Sequence, residues 1–187
     1  MLVFVYLLVI FILACVFLIC YICMYNYYQT YIIRINESEA FIDTTLRKRF
    51  DLLNKSIGII EANRKDKAKG KEDEPILKSI VNLKSQKLSN FELDRILYDG
   101  INEFQRYKDE IPSLMENESF LKIDLALFES ESEIVSARKY YNDIITDYNK
   151  LVRNFPSNIV AKICNYKVKT YYDGKDMTDD DIQDFKL

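Results

Sequence analysis

Three groups of residues in this 187-residue chain have types and spacings that could do chemistry. Cys20-Tyr21-Ile22-Cys23 has the C-x-x-C spacing used by redox and metal sites. Glu129, Glu131 and Glu133 gather carboxylates of the kind a helical bundle can turn inward around a metal. Arg47-Lys48-Arg49 could meet an anionic lipid head group. Each has a plainer reading. The two cysteines lie inside an apolar run with no polar neighbour to lower a thiol pKa, so they read as small apolar filler. The glutamates fall away from the apolar stripe of their helix and read as a solvated face, and a ferritin-like site also needs Glu-x-x-His pairs. The basic triplet lies roughly 35 Å along a straight helix from the apolar run, well beyond a Debye length of about 8 Å. It reads as a solvated face or as contacts to neighbouring helices.

The chain contains no histidine, which removes the commonest general base and metal ligand together. Gly58, Gly70, Gly100 and Gly174 stand alone, so no glycine-rich phosphate loop exists. No catalytic, cofactor-binding or metal-ligating residue is nominated, and no cofactor, small-molecule substrate or enzymatic activity is expected. A net charge of −3 with interspersed signs gives no field to recruit nucleic acid. Cys15, Cys20 and Cys23 lie in the apolar run, leaving Cys164 without an intramolecular disulfide partner outside it.

The elements that would position these residues are helical. A composition 49% hydrophobic and 29% charged, with only 4 Gly and 3 Pro, favours long uninterrupted helices. No charged side chain precedes Arg34, and residues 2–24 are almost purely apolar. As a helix they reach roughly 34 Å, enough to cross a hydrocarbon core of about 30 Å. Tyr21, Tyr25, Tyr27 and Tyr28 cluster at the end, as an aromatic belt would. A cleaved signal peptide would need a basic start and small residues at a cleavage site. A lipid-modified Leu13-Ala14-Cys15 is disfavoured because the apolar run continues past it. The basic residues Arg34, Arg47, Lys48 and Arg49 flank the run on one side, which predicts an N-terminus outside and the remainder in the cytoplasm.

Beyond the run, Tyr28, Ile32, Ile35, Ile42, Leu46, Phe50, Leu53, Ile57 and Ile60 keep steps of mostly three or four residues, so the membrane helix should continue to about Ala62. Residues 63–73 read as a charged loop. Pro75 with Ile76, Leu77, Ile80, Val81, Leu83 and Leu88 predicts a short second helix. Ser89-Asn90-Phe91-Glu92 is a capping box opening a third, with Leu93, Leu97, Ile101, Phe104 and Tyr107 as its stripe and Pro112 as its stop. A fourth helix over 117–154 carries Phe120, Leu127, Ile134, Tyr141, Tyr148 and Phe155 at every seventh position. Ile123, Ala137, Ile144 and Leu151 fill the intervening series, interrupted by Ser130. Residues 159–163 read as a short amphipathic turn. Of the abundant tyrosines, Tyr140, Tyr166, Tyr171 and Tyr172 are expected to be exposed.

The fold class expected is therefore all-α: an N-terminal transmembrane helix (residues 1–25) continuous with an elongated, antiparallel, up-down four-helix bundle (26–165), followed by an acidic tail (166–187) expected to be disordered. Over nearly its whole length the chain resembles the LemA family of bacterial membrane-anchored proteins. The resemblance rests on Tyr25-Asn26, on the run from Leu46 through Arg47, Lys48, Arg49 and Phe50 to Asp51-Leu52, and on Ile111-Pro112 with Asn117-Glu118-Ser119-Phe120-Leu121. Its most specific part is Ala137-Arg138-Lys139-Tyr140-Tyr141-Asn142, Tyr148-Asn149 and Phe155-Pro156-Ser157-Asn158. The chain departs from the family at Leu53-Asn54-Lys55, where Ile-Pro-Asn is usual. The resemblance implies an anchored helical bundle and brings no general biochemical activity with it. The function expected is a non-enzymatic interaction or scaffold module, held in the lipid bilayer by its first helix and facing an unidentified protein partner. The alternative is a structural membrane element that self-associates as a homo-oligomer, without the G-x-x-x-G face that often pairs such helices.

Overall fold

The computed structural model describes residues 1–65, 77, 80, 83 and 88–173. Among them the chain is helical, with no strand: α1 (Leu2–Lys65), α2 (Asn90–Glu110), a 3-10 turn (Pro112–Glu116), α3 (Glu118–Arg153) and α4 (Ser157–Ile163). The all-α class, the unbroken run of the apolar helix into the polar part, and the third and fourth predicted helices are as the periodicity indicates. The predicted loop over 63–73 lies outside the described residues beyond residue 65. Of the predicted second helix, only Leu77, Ile80, Leu83 and Leu88 are described. Residues 174–187 of the tail also lie outside them.

Local chemistry sets the helix ends. Ser89 and Glu92 close the capping box reciprocally: the Glu92 amide donates to the Ser89 hydroxyl at 3.3 Å, and the Ser89 amide donates to the Glu92 carboxylate at 2.9 Å. That pairing holds the Glu92 carboxyl below its ordinary range, its bond from the Ser89 backbone being the largest cause. Helix α2 stops where Pro112 follows Ile111. Asn117 opens α3, its side-chain oxygen accepting from the Phe120 amide at 3.0 Å. Past α4, Asn165 adopts a left-handed φ of 54°. The amide of Tyr166 then reaches back to Ala161 at 2.8 Å and that of Asn165 to Lys162 at 3.3 Å, a Schellman ending in which asparagine stands where glycine is commonest.

The described chain forms two compact units, to both of which α1 and α3 contribute. The first comprises Met1–Ser38 and Tyr140–Leu187. Its core gathers Tyr28, Ile35, Tyr141, Ile144, Ile145 and Tyr148. Phe155, assigned by the heptad to the buried stripe, is 80% exposed instead. The reason is that α3 ends at Arg153, so the periodicity no longer aims this residue inward.

The second unit is Glu39–Lys139. Leu46, Leu53, Ile60, Leu97, Phe104, Phe120, Leu127 and Ile134 fill its core, with the Phe104 and Phe120 rings stacked at 4.8 Å. Asp94 with Arg138 pairs an early residue of α2 with a late one of α3, and Lys108 with Asp124 pairs a late residue with an early one, so those two helices are antiparallel. Gly100 of α2 packs tightly on its neighbours: a Cβ there would stand 2.8 Å from the Ile80 side chain and 3.2 Å from that of Leu53 in α1.

Candidate functional site

The second unit buries a cluster of charge. The heptad positions of α1 that carry Tyr28, Ile35 and Ile42 fall next on Arg49 and then Ser56, so the helix aims a guanidinium where the pattern puts an apolar side chain. Arg49 is completely buried. Its Nη1 stands 3.5 Å from Asp94 Oδ1 of α2, and its Nη2 donates to Glu131 of α3. Asp94, itself buried, also accepts from Arg138 of α3. Two guanidiniums and two carboxylates thus cancel in charge and tie three helical segments at one level. Beside them Lys48 reaches Glu133 at 3.2 Å. Arg47 bonds Asp43 at 2.7 Å on the exposed face.

This revises the reading of the charged groups. Glu131 and Glu133 are not simply solvated: they turn toward α1 to meet Arg49 and Lys48, while Glu129 stays exposed. Of the basic triplet, Arg47 keeps a solvated face and the other two contact a neighbouring helix. Arg49 and Asp94 escaped sequence reasoning because charge was taken to mean exposure. Their signal was legible in register: Arg49 continues the series Tyr28, Ile35, Ile42, and Asp94 precedes Leu97, Ile101 and Phe104 at core spacing.

What the cluster can do chemically is limited. A guanidinium does not release its proton at physiological pH, and here each carboxylate is engaged by one. An open groove of about 670 Å³ beside it, between α2 and α3, is lined by Tyr98, Ile101, Leu121, Leu125 and Phe128. Its polar groups serve one another, Lys108 and Gln105 both donating to Asp124 at 2.5 and 3.3 Å. No group of three or more cysteine or acidic side chains able to hold a metal occurs among the described residues. The groove offers apolar contact rather than a set of convergent catalytic groups.

The first unit is organised around tyrosine. The Tyr28 hydroxyl donates to the Leu151 carbonyl at 2.6 Å, one of those that the end of α3 leaves without a helical partner, and approaches the carbonyl of Ser157 in α4 at 3.2 Å. The Tyr166 ring lies 4.9 Å from that of Tyr28, and Gln29 donates to the Tyr166 hydroxyl at 2.7 Å. Burial raises Tyr28, Tyr148 and Tyr166 above the ordinary tyrosine pKa. Tyr31, bonded to the Tyr27 hydroxyl at 3.3 Å, is pushed up to about 12.

Residues after 165 continue this packing. Asn149, buried, accepts from the Lys169 amide and donates to its carbonyl, both at 2.8 Å. Asn142 accepts from the Tyr172 amide at 2.9 Å, and Thr146 meets the Tyr171 hydroxyl at 3.1 Å. Of the tyrosines expected on the surface, only Tyr140 is plainly exposed; Tyr171 and Tyr172 are half-buried against these side chains and Tyr166 is half-buried against Tyr28 and Gln29. The four cysteines are free thiols, Cys20 and Cys23 pointing outward from α1. Cys164 lies 3.6 Å from the Tyr21 hydroxyl.

The LemA family model matches residues 38–183, most of the chain. The chain belongs to the LemA family. The matched span of this LemA protein takes in the buried charge cluster, the asparagines of α3 and all of α4, and leaves out the apolar start of α1. No curated protein and no solved structure matches the chain.

Proposed function

We propose that this LemA protein is a membrane-anchored, non-enzymatic interaction module that crosses the bilayer once and presents helix faces to a protein partner in the cytoplasm. The observation that carries the reading is the start of α1: an 18-residue window of mean hydropathy 3.4, none of it buried. A helix in the core of a soluble protein would bury such side chains. Exposed to water they would cost about 25 cal/mol per Å² of apolar surface, a cost that hydrocarbon removes. Arg34, Arg47 and Lys48 on the polar flank favour the cytoplasmic side. The apolar row Leu121, Leu125, Phe128 and Val135, with Phe128 78% exposed, supplies a face suited to another protein.

Alkaline carbonate extraction of membranes from cells making the full chain should leave it in the pellet, and release into the supernatant would overturn the anchor. Protease added to intact cells should spare a C-terminal tag that it removes after lysis; loss of the tag from intact cells reverses the orientation. A photo-crosslinking residue at position 128 should give a discrete adduct with one protein. Its absence under conditions that label a control surface would defeat the interaction reading.

A further inference from the structure

The first unit holds an exposed apolar corner that the functions above do not use. Phe155 is 80% exposed, Ile159 50% and Ile163 64%. The last two stand four residues apart on one side of α4, whose Ser157, Val160 and Ala161 are buried on the other. A helix facing water on its outer side would carry polar residues there.

Its height along α1 says what it faces. The Cys164 thiol touches the Tyr21 hydroxyl at 3.6 Å, and the Tyr28 hydroxyl donates to the Ser157 carbonyl at 3.2 Å. Helix α4 therefore runs beside residues 21–28 of α1, a rise of roughly 10 Å. Residue 21 is within the apolar run, and residue 28 lies just past its end. This is the depth at which tyrosines Tyr21, Tyr25 and Tyr27 would meet the boundary between lipid and water.

The chain segment around α4 carries charge of one sign. Between Asp147 and Asp173 there is no carboxylate, while Lys150, Arg153, Lys162, Lys167 and Lys169 all fall there. Lys150 is drawn toward Asp147 at 3.1 Å; Arg153, Lys162 and Lys167 are exposed. The Tyr28 and Cys164 contacts hold this segment beside the end of the apolar run.

We propose that α4 with Phe155 is a second membrane element, docked into the surface of an anionic bilayer. The apolar corner enters the boundary between head groups and acyl chains, and the basic side chains lie among the phosphates. This rests on the anchored reading above. It makes the attachment two-point, fixing the tilt and rotation of the first unit on the membrane where a lone helix would leave them free.

The full chain contains no tryptophan, so single reporters can be placed in it. Leu13→Trp, Ile159→Trp and Val135→Trp, each reconstituted in vesicles containing equal parts of phosphatidylcholine and phosphatidylglycerol, are quenched by lipids brominated at different depths. The result expected is deep quenching at position 13, shallow quenching at 159 corresponding to about 5–10 Å below the head groups, and none at 135. Replacing phosphatidylglycerol by phosphatidylcholine should weaken the signal at 159 alone. Quenching at 13 with 159 no different from 135 overturns the second element and leaves the anchor standing. No quenching at 13 removes the anchor itself, and the proposal with it. Quenching at 159 that ignores the anionic lipid overturns the charged surface as the occupant. Ile163→Trp, more exposed still, repeats the measurement should Ile159→Trp disturb the packing of α4.

Discussion

The two units keep their buried polar groups by opposite means. In the second, a fully buried guanidinium and its carboxylates balance one another in charge across three helical segments, although Arg49 Nε and Nη1 make no hydrogen bond among the described residues. In the first, uncharged donors, chiefly Tyr28, Ser157 and Asn149, satisfy backbone groups where α3 ends and the chain turns back along it. A buried ion pair offsets a large desolvation cost and fails badly when one partner is removed, whereas a neutral hydrogen bond contributes modestly and fails modestly. The second unit should therefore be the brittle one.

Arg49→Met is the strongest way to break that contrast. It leaves Asp94 buried with Arg138 as its remaining charged partner on α3 and frees Glu131 toward solvent. The expected loss is about 3–5 kcal/mol, confined to the second unit. Hydrogen exchange would report it as lost protection in α2 with protection in α4 unchanged; equal losses in both would show that the two units unfold as one. Adding Asp94→Leu should restore a large part of that stability, because Arg138 and Glu131 are partly exposed and can turn to water.

Tyr28→Phe tests the first unit with a smaller effect. The ring packing stays and only the hydroxyl goes. Because the Ser157 hydroxyl still donates to the Leu151 carbonyl at 2.7 Å, the loss should fall at the lower end of about 1–3 kcal/mol. Protection should fall in α4 and in residues 166–172 but not in α2. Ser89→Ala, which removes only the local cap of α2, should cost about 1 kcal/mol and fray that end while the ion pairs at Asp94 hold. If it instead cost as much as Arg49→Met, the cap and not the charge cluster would be what holds α2.

Helix limits and apolar stripes were legible in the sequence because caps and prolines act locally and heptads repeat: Ser89, Pro112 and Asn117 each act where they stand. The charge cluster was half legible, its register visible in the spacing of Arg49 and Asp94, its partners hidden because pairing joins helices far apart in the chain. Asn149 stood in the family resemblance but gave no physical sign of its partner. An asparagine in a helix says nothing of an extended segment some twenty residues later that will donate to it and accept from it. Height along a helix was equally invisible: nothing in the spacing of Cys164 announces that it meets Tyr21.

The smallest effect is also the most selective, because it follows a proton. Burial raises the pKa of Tyr28, Tyr148 and Tyr166 above the unfolded value near 10, so the folded first unit holds those protons more tightly than the unfolded chain does. Stability from this source is complete below about pH 10 and is lost as pH rises through the folded values. Tyr28→Phe has no proton to lose at that site. Its thermal midpoint, followed by circular dichroism, should lie below that of the unaltered chain by a constant margin up to about pH 10, and the margin should narrow above it. In the same series the ring resonances of Tyr31 should titrate near 12, marking its bond to Tyr27. A margin absent below about pH 10 would mean that the Tyr28 hydroxyl contributes nothing while protonated. The first unit would then be held by packing alone, and its contrast with the charged second unit would rest on shape rather than on hydrogen bonds.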